Sequence, residues 1–171
     1  TRVNQADLIL HDQLSLWLSN HFGLEGTAMF GHGEAGLERI RPIFAPLKQK
    51  LSKVKIITIA GTNGKGETAY RLEQMLLKKN YKVALWTSPH LISVCERIRF
   101  NGLDVDAKKC LETFENVYES ANSLSYYEFL FYVFLSMTIE NIPDVLLLSL
   151  IHISEPTRRT PISYAVFCLK K

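Results

Sequence analysis

Residues 56–68 read I-I-T-I-A-G-T-N-G-K-G-E-T, an apolar run passing directly into a turn with three glycines and one lysine. The run predicts a buried strand and the residues after the turn predict a helix, which commits the chain to a strand-turn-helix corner of an α/β sheet. Gly61, Gly64 and Gly66 are expected to adopt backbone angles closed to other residues and to leave room for a triphosphate beside the main chain. Lys65 would set a point charge on the β- and γ-oxygens, and the helix starting near Gly66 would turn its N–H groups toward the same anion. Gly61, Thr62, Asn63, Gly64, Lys65, Gly66, Glu67 and Thr68 are therefore the candidate nucleotide-binding residues. An ordinary corner also collects glycines; strand, lysine and helix together favour the nucleotide.

A second constellation follows the apolar run Lys82 to Trp86. Thr87-Ser88-Pro89-His90-Leu91 leads to Glu96-Arg97-Ile98-Arg99-Phe100-Asn101-Gly102. Alone, Ser88-Pro89 is turn chemistry and His90 an ordinary histidine. At a strand end, where open α/β sheets bind ligands, the segment becomes a candidate site. Alternation from Glu96 to Phe100 predicts a half-exposed strand, with Asn101-Gly102 as a hairpin turn before Leu103-Asp104-Val105. Glu96, Arg97 and Arg99 then read as its wet face, outside the catalytic set.

Only two residues separate Gly61 from Gly64, unlike the common Walker A spacing. G-T-N-G-K-G resembles the ATP loop of the Mur-ligase superfamily, and the third glycine points to its folylpolyglutamate synthase/dihydrofolate synthase branch. The segment from Thr87 is similar to that family's S-S-P-H-L and E-R-x-R-x-x-G, which implies Ser88 as a ligand of the catalytic magnesium. A hydroxyl oxygen suits that hard ion. Leu14 to Asn20 and Gly36-Leu37-Glu38-Arg39-Ile40 resemble W-L-x-x-L and G-L-E-R-[IV], placing Gly36 and Leu37 in the pterin site. Leu124-Ser125-Tyr126-Tyr127-Glu128-Phe129 resembles L-T-x-F-E-[FY], placing Ser125 and Tyr127 at the dihydropteroate pocket; most side chains of 126–134 read as an aromatic-rich core helix.

The resemblance implies a partial Mur-ligase-like P-loop ATPase domain, α/β with a mainly parallel sheet and flanking helices. It also implies an ATP- and Mg2+-dependent amide ligase joining L-glutamate to dihydropteroate or folate through an acyl phosphate, with Lys65 as the catalytic charge. Another Mur-type amino-acid ligase would share the loop but not G-L-E-R-I or L-S-Y-Y-E-F. A non-catalytic nucleotide-binding module is the other alternative.

Three departures bear on that reading. Glu67 stands where the family carries serine or threonine, and a carboxylate about 5 Å from a triphosphate costs about 3 kcal/mol at an effective dielectric near 20. After Asp144 to Leu147 the family continues L-E-V-G-L-G-G-R, bringing a glutamate ligand of the metal, whereas this chain reads Leu148-Ser149-Leu150. Finally, 148–171 resembles translated sequencing-adapter DNA, so 1–147 is expected to be the N-terminal part of the ligase domain and 148–171 a foreign tail. The chain as it stands is expected to lack turnover.

Net charge is +3 over 171 residues, with Arg158, Arg159, Lys170 and Lys171 in that tail. The rest is near neutral, which argues against nucleic-acid or membrane partners. Cys95, Cys110 and Cys168 are widely spaced and odd in number, indicating neither disulfide framework nor zinc site. With no apolar signal region at the start and no span-length apolar stretch, the expectation is a cytoplasmic protein, a monomer when full length. Strands at 55–60, 82–86 and 144–148 alternate with helices at 65–79, 107–121 and 126–140, the pattern of a parallel sheet wrapped by helices.

Overall fold

A computed structural model describes residues 5–23, 34–61 and 63–149. In chain order these form α1 (Gln5–Phe22), α2 (Glu34–Lys50), β1 (Lys55–Ile59), α3 (Lys65–Leu77), β2 (Val83–Trp86), a 3-10 turn (Val94–Arg97), β3 (Ile98–Phe100), β4 (Leu103–Asp104), α4 (Ala107–Ala121), α5 (Tyr126–Glu140) and β5 (Val145–Ser149). Strand order is β1-β5-β2-β3-β4. β5 lies parallel between β1 and β2, pairing Val145 with both Lys55 and Val83. The expected mainly parallel sheet is thus three parallel strands with an antiparallel β3-β4 hairpin on the β2 edge.

Every residue of β2 and β5 is buried, and alternation sorts their side chains between two cores. Val83, Leu85, Val145 and Leu147 face Ala69, Leu72 and Leu76 of α3. Ala84, Trp86, Leu146 and Leu148 face the larger core around α5. Phe129, Phe131 and Phe134 of α5 are fully buried, each worth about 1.5–3 kcal/mol of apolar transfer. Trp17 of α1 stacks on Phe129 at 5.5 Å between ring centroids and lies 5.2 Å from Phe114 of α4, joining three helices.

The hairpin turn is the expected one. Asn101 (φ 51°) and Gly102 (φ 86°) both take the left-handed conformation of a two-residue turn suited to twisted strands. Asn101 also accepts from the Val83 N–H at 2.9 Å, which fixes the turn to β2.

One segment departs from expectation. Glu96 and Arg97 belong to the 3-10 turn, not to a strand, and Arg97 is fully buried. Arg99 does lie on β3, yet only 14% of its side chain is exposed, and it meets the fully buried Glu73 of α3 at 3.3 Å. Alternation read these arginines as a wet face because it cannot see the acceptors brought by distant elements. Cys95 and Cys110, on different elements, are free and buried.

Candidate active site

β1, β5 and β2 end on the same edge of the sheet, and the residues singled out from the sequence gather there. After β1 the chain turns through 60–64 into α3, whose N-cap Gly64 is left-handed (φ 73°). A side chain at that φ is strained. Gly64 brings no capping side chain to the first turn, which leaves the helix N-terminus to an anion. Lys65 opens α3, and its Nζ donates to Gly61 O at 2.5 Å, so the lysine lies folded over the loop.

Gly66 corrects one expectation. It sits inside α3 without a positive φ, and a Cβ added there meets no atom within 4 Å. Its missing side chain keeps open space beside the loop and serves no backbone need.

Glu67 accepts from Arg71 at 2.6 Å one helical turn on, with 67% and 77% of the two side chains exposed. Thr68 Oγ1 donates to Gly64 O at 2.8 Å. Asn63 is exposed, and Thr62 lies outside the described residues.

β2 delivers the second segment. Thr87 N–H donates to Arg97 O at 3.0 Å and Thr87 Oγ1 to Glu96 O at 2.9 Å, which pins the 3-10 turn beneath the strand end. The Glu96 carboxylate accepts from the N–H groups of Leu91, Ile92 and Ser93 at 2.8–2.9 Å. Burial pushes this carboxyl up, but the three N–H donors outweigh it and hold it below the usual range. Ser93 Oγ meets His11 Nδ1 of α1 at 2.6 Å. Within this frame Arg97 Nε donates to His90 Nδ1 at 2.7 Å.

The third segment is the start of α5, where Glu128 accepts from the Ser125 N–H at 2.7 Å. The Tyr127 ring lies under the Arg97 guanidinium, 5.2 Å from carbon to centroid. Gly36 and Leu37 fall within α2, but their surroundings lie outside the described residues.

Trp86 Nε1, Ser88 Oγ, Arg97 Nη1, Ser125 Oγ and Ser149 Oγ are buried polar atoms without a hydrogen-bond partner. All five sit at or just beyond the β2 and β5 ends, in the 3-10 turn or at the α5 N-cap, on the edge that carries the loop. An unmet buried polar atom costs about 1–3 kcal/mol, so a concentration of them marks where a ligand or water belongs. Ser88 Oγ fits a magnesium ion as an oxygen donor. Among the described residues no group of three His, Cys, Asp or Glu could hold a metal. A cavity of about 380 Å³ lies at the opposite edge, between Lys82, Asn101, Lys109 and Pro143, away from these atoms.

The sequence missed Arg97, Glu96 and His11 as parts of this edge. E-R before the hairpin is the available signal, but its alternation reads as strand surface. Among the described residues no helix is long and apolar enough to cross a membrane.

No family model matches the chain. Over 119 residues, 68% of this chain, it is 38% identical to the dihydrofolate synthase/folylpolyglutamate synthase of Buchnera aphidicola subsp. Acyrthosiphon pisum (strain APS), of which it spans 28%. The crystal structure of bifunctional folylpolyglutamate synthase/dihydrofolate synthase from Yersinia pestis CO92 matches with a TM-score of 0.66 at 32% identity, over 79% of this chain and 33% of that one. A crystal structure of such a bifunctional enzyme with Mn, AMPPNP and L-glutamate bound matches with a TM-score of 0.64 at 32% identity, over 81% of this chain and 32% of that one.

Proposed function

Because the chain belongs to the folylpolyglutamate synthase/dihydrofolate synthase family, we propose that it carries the nucleotide-binding part of an ATP-dependent ligase joining L-glutamate to dihydropteroate or folate. The glycine loop carries this reading: an uncapped α3 N-terminus, Lys65 in its first turn and open space over Gly64 and Gly66. A relative of similar fold that binds AMPPNP, Mn and L-glutamate supports it.

In the reaction a carboxylate oxygen of the acceptor attacks the γ-phosphorus of ATP. The bond from phosphorus to the β-γ bridging oxygen breaks and ADP leaves. The glutamate amine then attacks the acyl carbon, the amide forms, and inorganic phosphate and the amine proton depart. Lys65 and the loop amides hold the β- and γ-oxygens in line and offset the charge that develops on them. A magnesium ion held by Ser88 Oγ would supply further positive charge at the same oxygens. Ser125 and Tyr127, with Gly36 and Leu37, would orient the acceptor. The working unit in this reading is a cytoplasmic monomer.

Ser149 stands where the family has its glutamate, so the chain in hand binds nucleotide without turning over. We also propose that 148–171 is foreign: amplifying source DNA across codon 147 should give a frame that continues differently, and recovering codons for 149–171 would refute this.

The test is calorimetric titration of the 171-residue chain with AMPPNP and magnesium. Saturable binding is expected and Lys65→Ala should weaken it; a wild-type chain that does not bind overturns the reading.

A further inference from the structure

Arg97 is fully buried although its sequence context places it on a solvent-facing strand. A guanidinium keeps its charge at any working pH, so it is held inside a fold only where neighbours satisfy its donors and its planar face. Here Nε donates to His90 and the guanidinium carbon lies over Tyr127. His90 belongs to the turn after β2, two residues beyond Ser88. Tyr127 belongs to the first turn of α5, two residues beyond Ser125. One planar group thus spans the gap between two turns that each carry a buried, unpartnered hydroxyl.

Resting on the functional reading above, we propose that Arg97 is a positioning residue that couples the nucleotide end of the site to the acceptor end. It acts through His90 and Tyr127. Its backbone is fixed, because its carbonyl accepts from Thr87 N–H and the preceding Glu96 carboxylate gathers three N–H groups. A displacement of the 88–90 turn on nucleotide binding must therefore either carry the guanidinium across the Tyr127 ring or break a buried charge-assisted bond. Lysine cannot replace it, being a point charge on a flexible stem without a planar fork.

The experiment measures the dissociation constant of dihydropteroate for the 171-residue chain, with and without saturating AMPPNP and magnesium. The two constants should differ by about tenfold in the wild type, and AMPPNP affinity should change by the same factor on adding dihydropteroate, as linkage requires. Arg97→Lys and Tyr127→Leu should each bring that ratio to within about twofold of one, and the double variant should add nothing further. Tyr127 is half-buried, so Tyr127→Leu carries the test alone if Arg97→Lys does not fold by circular dichroism. A structural role would weaken both ligands and leave the ratio unchanged, which overturns the coupling, as does a wild-type ratio of one. A wild-type chain that binds no dihydropteroate overturns the functional reading itself and the coupling with it.

Discussion

Replacing Glu67 by serine asks how strongly a carboxylate at the start of α3 opposes a polyphosphate. At about 5 Å two unit charges cost about 3 kcal/mol at an effective dielectric of 20, but only about 0.8 kcal/mol at that of water. The structure decides between these limits: 67% of the Glu67 side chain is exposed, and Arg71 holds its carboxylate at 2.6 Å. The watery limit applies, and the guanidinium cancels part of what remains. Glu67→Ser should therefore tighten AMPPNP binding by about two- to fourfold at low salt, and by less as salt rises. Arg71→Ala, which strips the carboxylate of its partner, should weaken binding by a similar factor. Titrating both variants at low and high magnesium settles the matter. If Glu67→Ser weakens binding, and most at low magnesium, then Glu67 is a metal ligand and the repulsion argument is wrong.

The remaining expectations concern turnover, the loop lysine, the buried ion pair and the carboxylate under the second turn. Dihydropteroate, folate and L-glutamate together should elicit no ADP release from the present chain, and substrate-dependent release would contradict the role given to position 149. In a full-length enzyme Lys65→Ala should lower turnover by at least about 100-fold, read as kcat, because it removes charge stabilisation that grows toward the transition state; a loss confined to KM would refute this. Glu73→Ala leaves Arg99 and the Gly102 N–H without their buried acceptor and should cost about 3 kcal/mol, the low end for a broken buried pair because Asp104 still holds Arg99. Urea unfolding reports it, and a cost under about 0.5 kcal/mol would show the pair idle. Glu96 has a lowered folded-state pKa, so its contribution is fully present above the ordinary glutamate range and lost as pH falls through the lower folded value. Glu96→Gln should flatten that acid limb in thermal melts, and an unchanged slope would remove Glu96 from it.

The corner at 56–68 was legible because everything needed to recognise it is local: an apolar run, glycines at a turn and a lysine opening a helix. α4 and α5 were legible to the residue, since Asp106 and Ser125 stand at their starts, apolar periodicity fills α4 and a nearly unbroken aromatic-rich apolar run fills α5. The 3-10 turn was not. E-R-I-R-F alternates as a strand does, and what holds Glu96 and Arg97 out of that strand is the backbone N–H of 91–93 and the ring of His90. Arg97 and Glu73 are buried charges whose partners lie on other elements, so no local pattern reports them. α2 contains Pro42 and Pro46, each of which reads as a helix break. Both are exposed on the same face, where water can meet the carbonyls that lose their N–H donors.

The place of β5 in the sheet has a consequence for how the chain reaches its fold. The last described strand in sequence is the one that lies between β1 and β2. During synthesis β1 and β2 must therefore wait, each with an open edge, until residues 145–149 have emerged and slid between them. Contacts of that sequence separation make for slow folding and an aggregation-exposed intermediate. A chain released before Val145 would display two unpaired parallel edges together with the Phe-rich face of α5, a natural substrate for chaperones.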